Sequence, residues 1–104
     1  MRDEIIVIRT HQGEDIIATL VGEREEFYDV FNPYFVRYSS GVGISLMPYC
    51  FLTDQKHFAI AKTKVEFVAT AAKPIAKKFL SVIEYDEDPM NSLFDDLDDE
   101  EYKH

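Results

Sequence analysis

The sequence predicts a mostly β fold, a small and strongly bent five-stranded antiparallel sheet or partial barrel with one C-terminal helix. Short apolar runs rich in β-branched and aromatic residues recur through residue 70, and polar or glycine-containing turns separate them. Two prolines, Pro33 and Pro48, fall inside such runs and indicate bends, bulges or sheet edges. From residue 71 onward, the apolar residues follow a helical period instead.

Five strands follow from the alternation of apolar and polar residues. In the second strand, Ile17 is placed on the face opposite Ile16. We expect the third strand to stop or to bend at Asn32-Pro33, because proline cannot donate a ladder hydrogen bond. The fifth strand is expected to bend at residues 61–64. The predicted strand ranges are residues 1–10, 15–21, 27–31 with a continuation to 38, 44–52 and 57–70.

A helix is predicted over residues 72–85, and Pro74 suits its first turn. Its apolar residues recur at helical spacing, at Ile75, Phe79, Val82 and Ile83. Residues 1–85 therefore form one predicted domain, and residues 86–104 form an acidic tail whose composition predicts disorder. Three apolar residues among the acids of the tail are either a docking motif for a protein partner or merely tolerated: Leu93, Phe94 and Leu97.

Charge is distributed unevenly between the domain and the tail. The chain has 104 residues and a formal net charge of -9, yet residues 1–83 contain equal numbers of basic and acidic residues, ten of each. The remaining residues hold ten acids against one lysine. Because the domain itself is neutral, the acidic balance of the chain does not argue against a nucleic-acid-binding surface on it.

Cysteine usage and hydropathy predict a soluble cytoplasmic protein. Cys50 is the one cysteine, so it cannot form an internal disulfide, and we expect a small buried side chain in a reducing compartment. The N-terminal apolar run, residues 5–8, is too short for a signal peptide. No apolar run approaches the roughly 20 residues that a membrane span needs.

The sequence contains no pattern typical of an enzyme, a metal site or a cofactor site. The histidines, His11, His57 and His104, lack the clustering that metal ligands need. The Gly41-Val42-Gly43 turn lacks the third glycine and the following helix of a phosphate-binding loop. We therefore expect no catalytic residues, no metal ligands and no cofactor.

Residues 29–38 are the strongest candidate for a binding site. They interleave aromatic rings with Arg37, and Phe31 and Asn32 stand at the expected bend. Bases stack on such rings, and an asparagine amide can both donate to and accept from a base edge. Alternatively, the rings fill the core and Asn32 only forms a turn.

A second candidate is the turn Lys62-Thr63-Lys64, at which the fifth strand is expected to bend. Two lysines and a hydroxyl group in a tight turn suit contact with phosphate groups. Alternatively, the turn is only solvated. The functional hypothesis expects this turn to lie beside Phe31 and Asn32, across a strand pair or a subunit boundary.

Two segments carry a recognisable pair of motifs. In the first, apolar residues alternate between two glycines and the segment ends in an aspartate and an asparagine, namely Gly13, Ile16, Ala18, Leu20, Gly22, Asp29 and Asn32. The second runs over residues 60–68. Both resemble the motifs of the Sm/LSm family, the small RNA-binding β-barrels that include the bacterial Hfq-type proteins, with Ala61-Lys62 where the family has Arg-Gly. The likeness covers roughly residues 1–70, and the chain also resembles phage-encoded Sm-like proteins with a trailing helix.

The resemblance implies a homo-oligomeric ring of about five to seven subunits, closed by pairing the fourth strand of one copy with the fifth strand of the next. It also implies that RNA binds near the pore, with Phe31 stacking on a base, Asn32 reading a base edge and Lys62 supplying positive charge. The alternative is a protein-interaction scaffold that acts through its acidic tail. We expect a non-enzymatic ring that binds single-stranded RNA or DNA, in RNA or DNA processing, through Phe31, Asn32, Arg37, Lys62, Thr63 and Lys64.

Overall fold

A computed structural model describes residues 4–86. The chain divides into two compact units, residues 1–72 and 73–104, and in the described part the first carries the strands and the second a helix. The acidic tail, with its candidate partner-binding residues Leu93, Phe94 and Leu97, lies outside the described residues. The elements are β1 Glu4–Thr10, β2 Asp15–Glu23, β3 Phe27–Ser39, β4 Gly43–Pro48, β5 His57–Ala61, a single 3₁₀ turn Lys62–Lys64, β6 Val65–Thr70 and α1 Lys73–Asp86.

The described strands form one antiparallel sheet, which confirms the predicted mostly β fold. The strand order is β4-β3-β2-β1-β6, and β5 pairs with the first half of β3, on the edge that β4 shares farther along. The sheet has six strands rather than five, because the 3₁₀ turn divides the predicted run 57–70 into β5 and β6. Within residues 4–86, the edge strands β4 and β6 do not pair with each other, so the sheet is open rather than closed into a barrel.

β3 is one strand of 13 residues with a bulge at its centre. Between two successive register pairs, β3 holds one residue more than β2, and the extra position falls at Asn32-Pro33. Asn32 has a φ of 55°, in the left-handed region that asparagine tolerates better than most residues. The predicted bend is therefore confirmed as a bulge. Because the bulge shifts the alternation by one residue, Val30 before it and Phe35 after it both pack into the same core.

The core lies on one face of the sheet and consists largely of isoleucines. On the opposite face of β2, Ile17 is buried as well, at 0% exposed. Ile17 pairs with Val7 on one side and with the buried Tyr34 on the other, at the centre of the sheet. The buried core cluster comes from β1, β2, β3 and β5, and its members are Ile6, Ile8, Ile16, Ala18, Val30 and Ile60.

The loop between β4 and β5, residues 49–56, leaves and rejoins the sheet at the bulge. The Tyr49 N–H donates to the Pro33 carbonyl at 3.0 Å, and the Asn32 N–H donates to the Lys56 carbonyl at 2.8 Å. β4 stops before the predicted residue 52, because the next ladder position on β3 is Pro33, which has no N–H to donate. Cys50 lies in this loop and is exposed, so the expectation of a buried cysteine was wrong.

α1, Lys73–Asp86, agrees closely with the predicted helix and is amphipathic. Phe79 is fully buried, and Ile75, Val82 and Ile83 are partly buried on the same stripe. No helix within residues 4–86 is long and apolar enough to cross a membrane. The lysines of the polar stripe are exposed, namely Lys73, Lys77 and Lys78.

Candidate nucleic-acid interface

The candidate residues are spread along one edge of β3, the edge that faces β4 and β5. Arg37 lies in the part that pairs with β4, and Phe31 lies in the part that pairs with β5. Lys62 follows the last residue of β5, which pairs with Phe27. Four residues of extended chain, about 13 Å, therefore separate the Lys62 end from Phe31. Within one chain, the Lys62 turn is not a neighbour of the Asn32 bulge, contrary to the expectation for a strand pair.

Asn32 is positioned by the backbone of the bulge. Asn32 is only 5% exposed, and its backbone N–H donates a hydrogen bond to the Lys56 carbonyl. The side-chain Nδ2 is buried and has no hydrogen-bond partner among the described residues. A buried amide without a partner costs free energy, which indicates that the left-handed backbone, rather than side-chain hydrogen bonding, selects asparagine here. The amide is not exposed for reading a base edge.

Phe31 and His57 form an aromatic pair beside the bulge. Their ring centres lie 4.6 Å apart, and their planes are inclined by 54°. Phe31 is partly buried and His57 is exposed. The neighbouring Lys56 is exposed, and its ammonium group has no ion pair among the described residues. The sequence identified Phe31 but missed His57, because only the β3–β5 register places the two residues opposite each other.

The Lys62 ammonium group is paired within the chain. Its Nζ lies 2.6 Å from Oε2 of Glu23 and 5.0 Å from the centre of the Tyr28 ring. The Lys62 side chain is 29% exposed, which leaves limited access for a phosphate group. Thr63 and Lys64 beside it are exposed. Lys62 therefore fastens the end of β5 to β2 and β3, and its charge is already compensated.

The 3₁₀ turn contacts the turn between β2 and β3. The Lys62 N–H donates to the Glu26 carbonyl at 2.9 Å. In the same turn, Arg24 donates to both carboxylate oxygens of Asp29, at 2.9 and 2.7 Å, and its guanidinium lies 4.9 Å from the centre of the Phe27 ring. These hydrogen bonds raise the pKa of Arg24 and hold the pKa of Asp29 below its ordinary value of 3.8. Where the β2–β3 turn meets the 3₁₀ turn, the cations Arg24 and Lys62 are therefore both paired with carboxylates.

Arg37 lies apart from both of these groups, on the second half of β3. Its side chain is exposed and makes no ion pair or hydrogen bond among the described residues. It lines a cleft of about 270 Å³ that β3 forms with the β1–β2 turn. On the described sheet, the exposed cations without a paired carboxylate are thus Arg37, Lys56 and Lys64.

No protein-family model matches this chain, and no curated protein is similar enough to be reported as a relative. The likeness to Sm-like proteins therefore depends on the motif residues alone. Within residues 4–86, no group of three or more histidines, cysteines or acids is placed to hold a metal ion.

Proposed function

We propose that this protein is a non-enzymatic, ring-forming protein that binds single-stranded nucleic acid, RNA in the first place. The observation that carries the proposal is the Phe31–His57 ring pair beside the unpaired Lys56. An exposed ring supported by a second ring offers a stacking surface for a base, and the neighbouring ammonium group suits its phosphate. The binding surface is therefore centred on His57 and Lys56, with Phe31 behind them.

The arrangement of the strands supports an Sm-like ring. Across the sheet there are five strand positions, because β4 and β5 occupy the same edge of β3. That edge and the outer edge of β6 are the two that the resemblance pairs between neighbouring copies. Unpaired edges offer free N–H and C=O groups, and a head-to-tail ring satisfies both edges of every copy.

The decisive test is a titration of labelled single-stranded RNA and DNA with the full chain and with a chain that ends after Asp86. We expect binding that weakens as salt rises, because phosphate contacts release counterions, and tighter binding without the acidic tail. If the tailless chain binds neither RNA nor DNA at low salt, the proposal is wrong.

The contribution of the ring pair is tested by His57→Ala, with His11→Ala as the matched control, because both histidines are exposed. Loss of one stacked base costs about 1 to 3 kcal/mol, so His57→Ala should weaken binding by about fivefold to more than a hundredfold. The control should bind as the unchanged protein does. Equal affinity of both variants would remove His57 from the site.

A second candidate function is a protein-interaction scaffold. The observation that favours it is the pairing of Lys62 with Glu23 and of Arg24 with Asp29, which leaves the β2–β3 turn without a free cation of its own. In this case the acidic tail is the active part. The absence of nucleic-acid binding, together with a protein partner lost in a chain that ends after Asp86, would favour the scaffold.

A further inference from the structure

The cleft beside Arg37 has the size and the chemistry of a site for one planar polar group. Its volume is about 270 Å³, just below the range of about 300 to 1,000 Å³ that is typical of sites for drug-sized ligands. One wall is the β1–β2 turn, and the other wall is β3 beyond the bulge. The lining residues are Gly13, Glu14, Asp15, Phe35, Val36 and Arg37.

Of the charged side chains that line the cleft, one is in an ion pair and two are not. Asp15 is held by Arg9, with Oδ1 at 2.5 Å from Nε and Oδ2 at 3.0 Å from Nη2. Arg37 and Glu14 are both exposed and share no ion pair in the described part of the chain. The opposite charges of Arg37 and Glu14 cancel, so the cleft suits a neutral ligand better than a free phosphate group, which Glu14 would repel.

Arg37 and Glu14, the two side chains without an ion pair, offer hydrogen-bond donors and acceptors respectively. The Arg37 guanidinium can donate two parallel hydrogen bonds, and the Glu14 carboxylate can accept two. Phe35 is only partly buried and is the aromatic residue that lines the cleft, so a flat ring can rest against it. A matching ligand needs two acceptors on one edge, two donors on another and a flat apolar face.

We propose that this cleft binds a single unstacked guanine base of the bound strand, which rests on the nucleic-acid-binding function proposed above. Guanine presents O6 and N7 as acceptors, the pair that arginine contacts most often in specific recognition. Its N1–H and N2 amino group point the other way and can donate to Glu14. Arg37 therefore selects the base by one edge, and Glu14 selects it by the other.

The other bases fit less well for definite reasons. Adenine places an amino group where guanine has O6, so that donor would face the donors of Arg37. Adenine also has an acceptor at N1, which would face the Glu14 carboxylate. Cytosine and uracil are smaller and lack N7. Uracil has no two adjacent acceptors for the Arg37 fork, and cytosine, whose O2 and N3 are adjacent acceptors, offers Glu14 only its single amino group as a donor.

Gly13 holds the turn side of the cleft in its shape. Its φ of 87° is left-handed, which glycine adopts without cost. A Cβ atom at this position would meet nothing within 4 Å, so backbone conformation rather than space requires glycine. Thr10 fastens the same turn through its backbone N–H to the Glu14 carbonyl at 2.9 Å. The Glu14 carboxylate is thus presented from a defined turn.

The test uses the full chain and uridine oligonucleotides of one length that carry a single central guanosine, inosine, adenosine or uridine. Inosine keeps O6 and N7 but lacks the N2 amino group, so it separates the Arg37 contact from part of the Glu14 contact. We expect guanosine to bind best, inosine next and adenosine no better than uridine. The preference for guanosine over adenosine should be about tenfold or more.

Arg37→Lys is the decisive variant, because it keeps the positive charge and removes the planar fork. We expect it to lose most of the preference for guanosine. Arg24→Lys is the matched control, because Arg24 is an exposed arginine in the turn before β3 and does not line the cleft. The control should keep the preference unchanged, and circular dichroism should show that both variants are folded.

The possible results separate this inference from the proposed function. Binding of all four strands with equal affinity would overturn the guanine site and leave the proposed function intact. A guanosine preference that survives in Arg37→Lys would move the site elsewhere and overturn the assignment to this cleft. Failure to bind any strand would refute the proposed function and the guanine site together.

Discussion

At the scale of single residues, Asn32 shows how one backbone angle determines a side chain's role. Its φ of 55° is unfavourable for residues with a Cβ atom, and asparagine tolerates it better than most. Its amide is buried, and Nδ2 finds no partner in the described part of the chain. The residue therefore stabilises the bulge through its backbone, whereas the sequence motif suggested a base contact.

The structural role of Asn32 is tested by comparing Asn32→Gly with Asn32→Ala. Both changes remove the amide, but only alanine places a Cβ atom in the left-handed region. We expect the glycine variant to have the higher free energy of unfolding, by about 1 kcal/mol, in urea denaturation at one protein concentration. Equal stability of the two variants would show that the left-handed backbone is not retained.

At the scale of elements, β2 is a strand with apolar side chains buried on both faces. Simple alternation placed Ile17 on the face opposite Ile16, together with Asp15 and Thr19. The residue is 0% exposed, between Val7 and Tyr34 on the flanking strands. Alternation gives the face of each side chain, but it does not say whether that face is covered.

Replacing Ile17 with alanine should therefore cost as much as a change in the main core. The expected loss in free energy of unfolding is about 2 to 5 kcal/mol, because a buried isoleucine leaves a cavity when it is shortened. Ile44→Ala on β4 is the control, because Ile44 is exposed and should change stability by about 0.5 kcal/mol or less. A similar small change for both variants, measured in urea, would contradict burial of Ile17.

At the scale of the whole molecule, the described sheet has two open edges, and these edges are the feature that bears on assembly. β4 exposes Ile44 and Met47, and β6 exposes Phe67. The centre of the Phe67 ring lies 5.5 Å from the guanidinium carbon of Arg9. Within residues 4–86, neither strand pairs along its outer edge. Natural sheets cover such edges or pair them with another copy, which supports the proposed ring.

The ring predicts a definite response to one charge. Light scattering should show an assembly of about five to seven copies, and Phe67→Glu on β6 should reduce it towards a monomer, because a carboxylate would be buried against the next copy. Leu80→Glu on α1 is the control, because Leu80 is 50% exposed and Phe67 is 45% exposed. A monomeric wild-type protein would refute the ring and leave the binding of single strands to be tested separately.

The sequence by itself determined where most of the strands lie, the interruption at Asn32-Pro33 and the helix. Each of these depends on local chemistry: β-branched residues favour extended backbone, proline lacks a donor, and apolar spacing sets the helix period. Such signals act over a few residues, so they can be read without knowledge of the fold. The predicted ranges accordingly differ from the observed ones mainly at the ends of elements and at the 3₁₀ turn.

Only the tertiary structure decided which side chains meet. The contact of Phe31 with His57 depends on the β3–β5 register, and the pairing of Lys62 with Glu23 joins residues that are 39 positions apart. A one-residue change of register would exchange the faces of every side chain, and no local pattern fixes that register. The residues of the candidate site could therefore be named in part from the sequence, but their partners and their free charges could not.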